Sequence, residues 1–385
     1  MDQLPVVSLF SGVGCLDVAV ERCAEPPLVQ DGTPGPYRVA VATDYEPKAL
    51  DVLGLNFPDV ATLAGDVTEI SSRDLMDAAG IRPGEAGLVV GGPPCTPFSK
   101  SGFWIADKVK SRDPDASLLD EYVRIVREVQ PEAFVLENVQ ALTYRNHAGV
   151  FARLLQGLDS AGYSVGWRVL IAADYGVPQL RRRVFVIGRR DRGPLRLPRA
   201  THSGWSERDR TVDVTKLPYV TCKEVLGDLL PGEAEAGEVV EGRYADLAAE
   251  VPPGANYLWH TVRGGGRDVW KWRSRYWTFL LRLDPDRPAT TIQAQPGPWV
   301  GPFHWENVET PAGPRARRLR VAEIRRLQTL PDEFQLQGDR RDTQRQLGNA
   351  VPVELGKAVV RSLAESLGRL ERPDQAPLAD QLAML

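Results

Sequence analysis

Residues that build metal centres and disulfide frameworks are scarce in this 385-residue chain, with four cysteines and four histidines in all. Cys15, Cys23, Cys95 and Cys222 lie in unrelated contexts with no CxxC pair, and the histidines are scattered. That pattern excludes a small disulfide scaffold and argues against structural zinc, so no metal site is expected. No apolar run approaches the ~20 residues of a membrane span. The start, MDQLPVVSLF, has no basic segment ahead of a signal-type core. Internal repeats and low-complexity tracts are missing too. A cytoplasmic protein with no membrane partner is the expectation. At 43% hydrophobic and 25% charged residues, the composition allows a sizeable core and is not that of a disordered chain.

The net charge of −4 speaks at first against a nucleic-acid partner, but its distribution does not. Residues 181–326 hold 26 basic and 18 acidic side chains, a net of +8, leaving −12 on the rest of the chain. A basic segment within an acidic protein suits one face meeting phosphates; a solvated, arginine-rich face is the alternative.

Over the first 190 residues, short β-branched runs at 6–10, 38–43, 88–91, 133–136 and 184–188 read as strands. Segments 17–23, 47–56, 118–129 and 149–161 read as helices between them. Strands alternating with helices predict a mostly parallel sheet covered on both faces, with ligands at the carboxyl ends of its strands. Pro, Gly, Arg and Trp then dominate, with an acidic loop at 232–241. Helical patterns return at 321–327 and 352–367, and the tail after Pro373 reads as loose. The layout is an α/β fold: a catalytic domain over 1–190, a smaller irregular module over 191–318, and a segment over 319–385 that returns to complete the first domain.

VVSLFSGVGCLD places a glycine turn between a hydrophobic strand and a helix. Gly12 and Gly14 let backbone approach a ligand closely. The third glycine of the dinucleotide fingerprint is missing, Asp17 standing in its place, which disfavours an NAD or FAD enzyme. Asp44 ends the second strand, placed to accept from ribose hydroxyls, and the ring of Tyr45 follows it, able to stack on adenine. Asp66 ends a third. Each carboxylate has a plainer reading as the cap of the next helix. In strand order, the three features together favour a nucleoside-type ligand.

A fourth strand runs into GGPPCTPFSKSG. Prolines and glycines hold Cys95 in a fixed, non-helical path at the strand's carboxyl end, which suits a soft covalent nucleophile. The other three cysteines read as small buried hydrophobes. FVLENV ends a fifth strand in Glu137, whose partial burial would raise its pKa and let it hold a proton near neutrality. QLRRRVFV leads a later strand, and alternation turns Arg181 and Arg183 to one face.

LFSGVG, GGPPCTPFSKSG, FVLENV, DYGVPQLRRRVFVIG, RPATTI and QLGNAVP occur in that order. Together they resemble the signature blocks of the cytosine-C5 DNA methyltransferase family, in its bacterial restriction-modification or orphan form. The resemblance spans the chain outside the inserted module. It implies a Rossmann-like fold that uses S-adenosyl-L-methionine (SAM). Phe10, Gly12, Gly14, Asp44, Tyr45, Asp66, Val67 and Pro94 would line the donor site, with Leu118 joining from the catalytic loop and Asn349 at the methionine end. It further implies Cys95 as nucleophile, Glu137 on the edge of a flipped-out cytosine, and Arg181 and Arg183 on its carbonyl side. Residues 100–116 would form a lid. The implied partner is duplex DNA, with a cognate restriction endonuclease as a further candidate; one active site per chain makes a monomer sufficient. Cys15 in place of a common glycine, Asp115 in place of a common DNA-contacting arginine, and a surface insertion at 24–37 are departures.

The module corresponds to the family's variable target-recognition region. Its cations Arg263, Arg267, Lys271, Arg273 and Arg275, interleaved with tryptophans and a glycine hinge, suit a loop entering a DNA groove. At least half of those tryptophans are expected in the module's own core. The tRNA-acting branch of the family carries a Cys-Phe-Thr tripeptide; here Lys223 and Glu224 follow Cys222, which favours DNA. A catalytically silent relative need not keep nucleophile, acid and arginines together, as this chain does.

Overall fold

The computed structural model describes residues 3–29, 31–94, 114–204, 212–229 and 237–371, the side chains of 114–117 excepted. Cys95, most of the expected lid, part of the acidic loop and the tail lie outside the described residues. Seven strands build one sheet: β1 (Leu4–Leu9), β2 (Tyr37–Asp44), β3 (Ala61–Ala64), β4 (Leu88–Gly91), β5 (Ala133–Val139), β6 (Ser164–Ile171) and β7 (Arg182–Arg189). Their order is β3-β2-β1-β4-β5-β7-β6. Only β7 runs against its neighbours, pairing antiparallel with β5 and β6.

Both faces of this sheet are covered, which is why β4 and β5 are nearly unbroken apolar runs rather than alternating ones. Successive side chains still part company at every step. Leu88, Val90, Ala133 and Val135 join the core beneath α1 (Cys15–Glu21). Val89, Phe134 and Leu136 join the opposite core. That second core is closed by α3 (Ser72–Ala79), α4 (Pro114–Val129) and α5 (Ala148–Ser160), while α2 (Pro47–Asn56) packs on β2 and β3.

Beyond β7 come two short strands, β8 (His202–Ser203) and β9 (Leu217–Pro218), then α6 (Cys222–Leu226) and α7 (Ala245–Glu250). An antiparallel hairpin follows, β10 (Phe303–Thr310) with β11 (Gly313–Arg318). This region has its own core of Leu247, Tyr257, Trp270, Phe279, Phe303 and neighbours. The chain then forms α8 (Val321–Leu327), α9 (Arg340–Asn349) and α10 (Val353–Ser366), whose apolar residues return to the core beneath α1. α1 and α10 touch so closely that a Cβ on Gly356 would lie 2.7 Å from the Ala19 methyl.

Several elements depart from the sequence expectation. β6 is an edge strand with half-exposed side chains, so it lacks the buried apolar run that marks the others. α9 is almost wholly polar, which hides its helical face. The 24–37 linker is anchored, not merely superficial: buried Lys357 reaches Glu25 at 3.2 Å and Glu354 at 2.9 Å, and donates to the Val29 carbonyl. Residues 238–240 of the expected acidic loop lie along β11, with Glu238 buried and 3.4 Å from Arg320.

Candidate active site

The carboxyl ends of the central strands open onto one cavity of about 320 Å3. Its floor is the turn from β1 into α1, where Phe10, Gly12 and Gly14 take positive φ values of 53°, 55° and 92°. A Cβ on Gly12 would meet nothing within 4 Å, so glycine there serves the turn and keeps the backbone open. At Gly14 a Cβ would press on the Phe57 ring at 3.0 Å.

The Gly12 amide donates to Asp44 Oδ2 at 2.8 Å, and the Glu46 amide donates to Oδ1 at 2.9 Å. Asp44 therefore shapes the glycine loop while facing the cavity, and each oxygen keeps a second acceptor position. Burial raises its pKa; the two amides oppose that. Tyr45, 78% exposed, stands at the mouth. Arg345 bridges to Glu46 there, Nη1 to Oε2 at 2.8 Å and Nη2 to Oε1. Neither of these two charged residues had a sequence signal beyond its proximity to Tyr45 and Asn349.

Phe10, Gly12, Asp44, Tyr45, Pro94 and Asn349 line the cavity, together with Ser8, Gln346 and Val351. Gly14 lies behind the turn, and three other expected donor contacts stand apart. Asp66 Oδ1 accepts from the Thr68 amide at 2.9 Å and its hydroxyl at 2.8 Å, a turn-capping arrangement. Val67 is buried, and Leu118, on α4, packs partly buried against the same core.

At the other end of the cavity, Glu137 of β5 meets Arg183 of β7, Nε to Oε1, at 2.8 Å. Adjacent antiparallel strands bring them side by side. Burial raises the pKa of Glu137, and Arg183 and then Arg181 oppose the shift. Gly92 leaves room for this carboxylate, since a Cβ there would lie 3.2 Å from Oε2. Arg181 does not line the cavity. Its charge nonetheless reaches Glu137, after that of Arg183. It is fully buried and donates to the carbonyls of Gly348 at 2.9 Å and Ile292 at 3.3 Å, bracing those segments behind the site.

Asn138 donates through Nδ2 to the Pro93 carbonyl at 3.0 Å. The residue after the acid thus holds the backbone two positions before Cys95. The described cysteines are of another kind: burial pushes Cys15, Cys23 and Cys222 each up to about 12. Asp17, buried behind the glycine loop, is raised to about 7, burial outweighing the Ser8 hydroxyl.

In the second module, Arg263, Arg267, Lys271, Arg273 and Arg275 are all exposed. Arg267 pairs with Glu250, Nε to Oε2 at 2.9 Å, and Arg263 lies 4.9 Å above the Trp272 ring. Trp270 is core and Trp259 partly buried, while Trp272 and Trp277 are exposed. Gly265 and Gly266 are not only a hinge. They pack on Trp259, where added Cβ atoms would fall 2.4 and 2.5 Å from its ring.

A largely parallel α/β sheet with one reversed strand, and a cavity at its carboxyl edge, define a Rossmann-like fold. The chain belongs to the C-5 cytosine-specific DNA methylase family, whose profile matches residues 4–365. It is a DNA cytosine-5-methyltransferase. It is 65% identical over 370 residues to the type II methyltransferase M.SacI of Streptomyces achromogenes, covering 96% of this chain and 95% of that protein. With the type II methyltransferase M.AquIA of Picosynechococcus it shares 34% identity, over 59% of this chain and 89% of that one. A crystal structure of a DNA modification methyltransferase from an E. coli prophage superposes with a TM-score of 0.65 at 20% identity. That superposition covers 95% of this chain and all of the other. Among the described residues, no helix is long and apolar enough to cross a membrane.

Proposed function

We propose that this enzyme methylates carbon 5 of a cytosine flipped out of a specific duplex DNA sequence, with SAM as donor and Cys95 as nucleophile. When bound, SAM supplies an electrophilic methyl group. The cavity fits a nucleoside-type donor: Gly12 presents open backbone, Asp44 retains acceptor capacity toward a ribose, and Tyr45 offers a ring at the mouth.

Carbon 5 of cytosine is too weak a nucleophile to be methylated unaided. Addition of the Cys95 thiolate to C6, with Glu137 holding a proton at N3, converts the ring to an enamine nucleophilic at C5. Once C5 has taken the methyl group, its proton leaves to a base, the Sγ–C6 bond breaks, and N3 returns its proton. The raised pKa of Glu137 suits an acid that must be protonated near neutrality. Arg183 fixes its orientation and lies against the base's carbonyl side. A stacked base cannot reach this cavity, so extrusion is required.

The observation that carries the reading is the buried Glu137–Arg183 pair sharing one cavity with Gly12 and Asp44, beside the Pro93–Pro94 backbone that leads into Cys95. The exposed cations of the second module would face the duplex. The type II designation of M.SacI favours a partner endonuclease cutting the same site. Bisulfite sequencing of DNA from cells expressing the chain tests the proposal. One short recurrent methylated motif is expected, lost with Cys95→Ser; persistent methylation in that variant removes Cys95 from its role.

A further inference from the structure

A second cavity, of about 600 Å3, lies where the inserted module meets α9. Its walls include Arg318 from β11, Arg340, Arg341 and Gln344 from α9, and Gln293 and Gln295 from the segment before β10. Three guanidiniums and three carboxamides make a lining rich in hydrogen-bond donors, of which Arg318, Arg340 and Gln344 each already give one to a backbone carbonyl. Among the described residues, neither Arg318 nor Arg341 has a carboxylate within ion-pair distance. Among the described residues, Asp339 is the acid on the wall, and it caps its own helix by accepting from the Asp342 amide at 2.8 Å.

From this lining we propose that the cavity between β11 and α9 is a subsite for the DNA backbone, holding a phosphodiester through Arg318 and Arg341. Burial and the neighbouring charge of Arg340 lower the pKa of Arg318, which is the unfavourable crowding that a bound anion relieves. Arginine matches this ligand, because its planar fork can donate two hydrogen bonds to two phosphate oxygens.

The position of α9 gives the subsite its purpose. On one side, Arg340, Arg341 and Gln344 face the second cavity. On the other, Arg345, Gln346 and Asn349 line the donor cavity, and Arg345 is paired with Glu46 at its mouth. Gln344 Nε2 also donates to the Gln293 carbonyl at 2.7 Å, joining the helix to the segment that walls the subsite. A strand gripped here is held one helix-width from the donor, so backbone grip fixes register at the reacting base. Phosphate contacts of this kind position the duplex and carry no sequence information.

The inference rests on the function proposed above, and its test separates the two. Wild type and Arg341→Ala are titrated with a labelled duplex carrying the methylated motif, over a range of salt concentrations. Arg341 is exposed, so its loss leaves the core intact; matching thermal midpoints verify this. The expected result is weaker binding and a salt slope reduced by about one unit, the loss of one phosphate contact. Neutral methylphosphonate linkages placed singly along the strand should weaken wild type wherever a phosphate is held, and at one of those positions should weaken Arg341→Ala no further. An unchanged slope, or a variant as sensitive as wild type to every linkage, while wild type still methylates, overturns the subsite alone. A wild type that neither binds nor methylates duplex DNA overturns the underlying function instead.

Discussion

Glu137 shows how a residue's surroundings decide its chemistry. Placed at the end of an apolar strand, it is buried, and burial favours its protonated form even with Arg183 at 2.8 Å. If the protonated acid works at N3, the methylation rate should fall on the alkaline side as Glu137 ionises, and rise on the acid side as Cys95 ionises. Glu137→Gln should be slower by on the order of 10²-fold and should lose the alkaline fall while keeping the acid rise. Single-turnover rates across pH are the check; the same alkaline fall in both proteins would assign it elsewhere. Asp17 carries a different consequence. Its carboxyl is raised from 3.8 to about 7 by burial. Below the lower value it is neutral folded and unfolded alike; between the two, only the unfolded chain ionises, so stability falls as pH rises through that window. Asp17→Asn should remove the fall, gaining on the order of 4 kcal/mol over wild type at pH 8 but little at pH 4. Denaturant unfolding at the two pH values measures it, and an equal difference at both contradicts the assignment. Residue identities here were legible because chemistry-bearing side chains sit at strand ends in recognisable blocks. The surroundings of Arg181 and Asp66 were less so. Sequence spacing does not say that Arg181 donates to the carbonyls of Gly348 and Ile292, or that Thr68 engages the Asp66 carboxylate.

At the scale of elements, the central strands could be read directly, because β4 and β5 must be apolar on both faces of a covered sheet. β6 and α9 could not. An edge strand buries little, and a polar helix wedged between two cavities has no apolar stripe to display. α9 nonetheless has tight tolerances. A Cβ on Gly348 would sit 2.4 Å from the backbone nitrogen of Ala294, a contact that no side-chain rotation relieves. Gly348→Ala should therefore push α9 off the 292–294 segment and disturb the carbonyls that Arg181 holds. A loss of about 1–3 kcal/mol in stability is expected, with weaker donor binding. Thermal unfolding and calorimetric titration with SAM test this; an unaltered midpoint and affinity would mean the contact relaxes freely.

For the whole molecule, the basic stretch spans more than one core. The stretch from 181 to 326 is basic within an acidic chain; residues between 240 and 316 form a core of their own, while Phe185, Cys222, Ile292 and Ile324 join the core beneath α1. The inserted module was visible in composition, through the end of strand-helix alternation and the rise in Pro, Gly, Arg and Trp. Its β10–β11 hairpin was not, because a strand such as GPRARR carries its polarity outward and its packing in Ala316 and Arg317 alone. In the mechanism proposed above, both parts serve a single act, the attack of one thiol on a pyrimidine carried out of its helix. A duplex bearing 5-fluorocytosine at the target position tests that act most directly, since fluorine at C5 leaves no proton to lose and stops the release step. With SAM present, the account predicts a stable enzyme–DNA adduct mapped by mass spectrometry to the peptide containing Cys95. Methylation of ordinary DNA by the same preparation, with no adduct or with one at another residue, would contradict it.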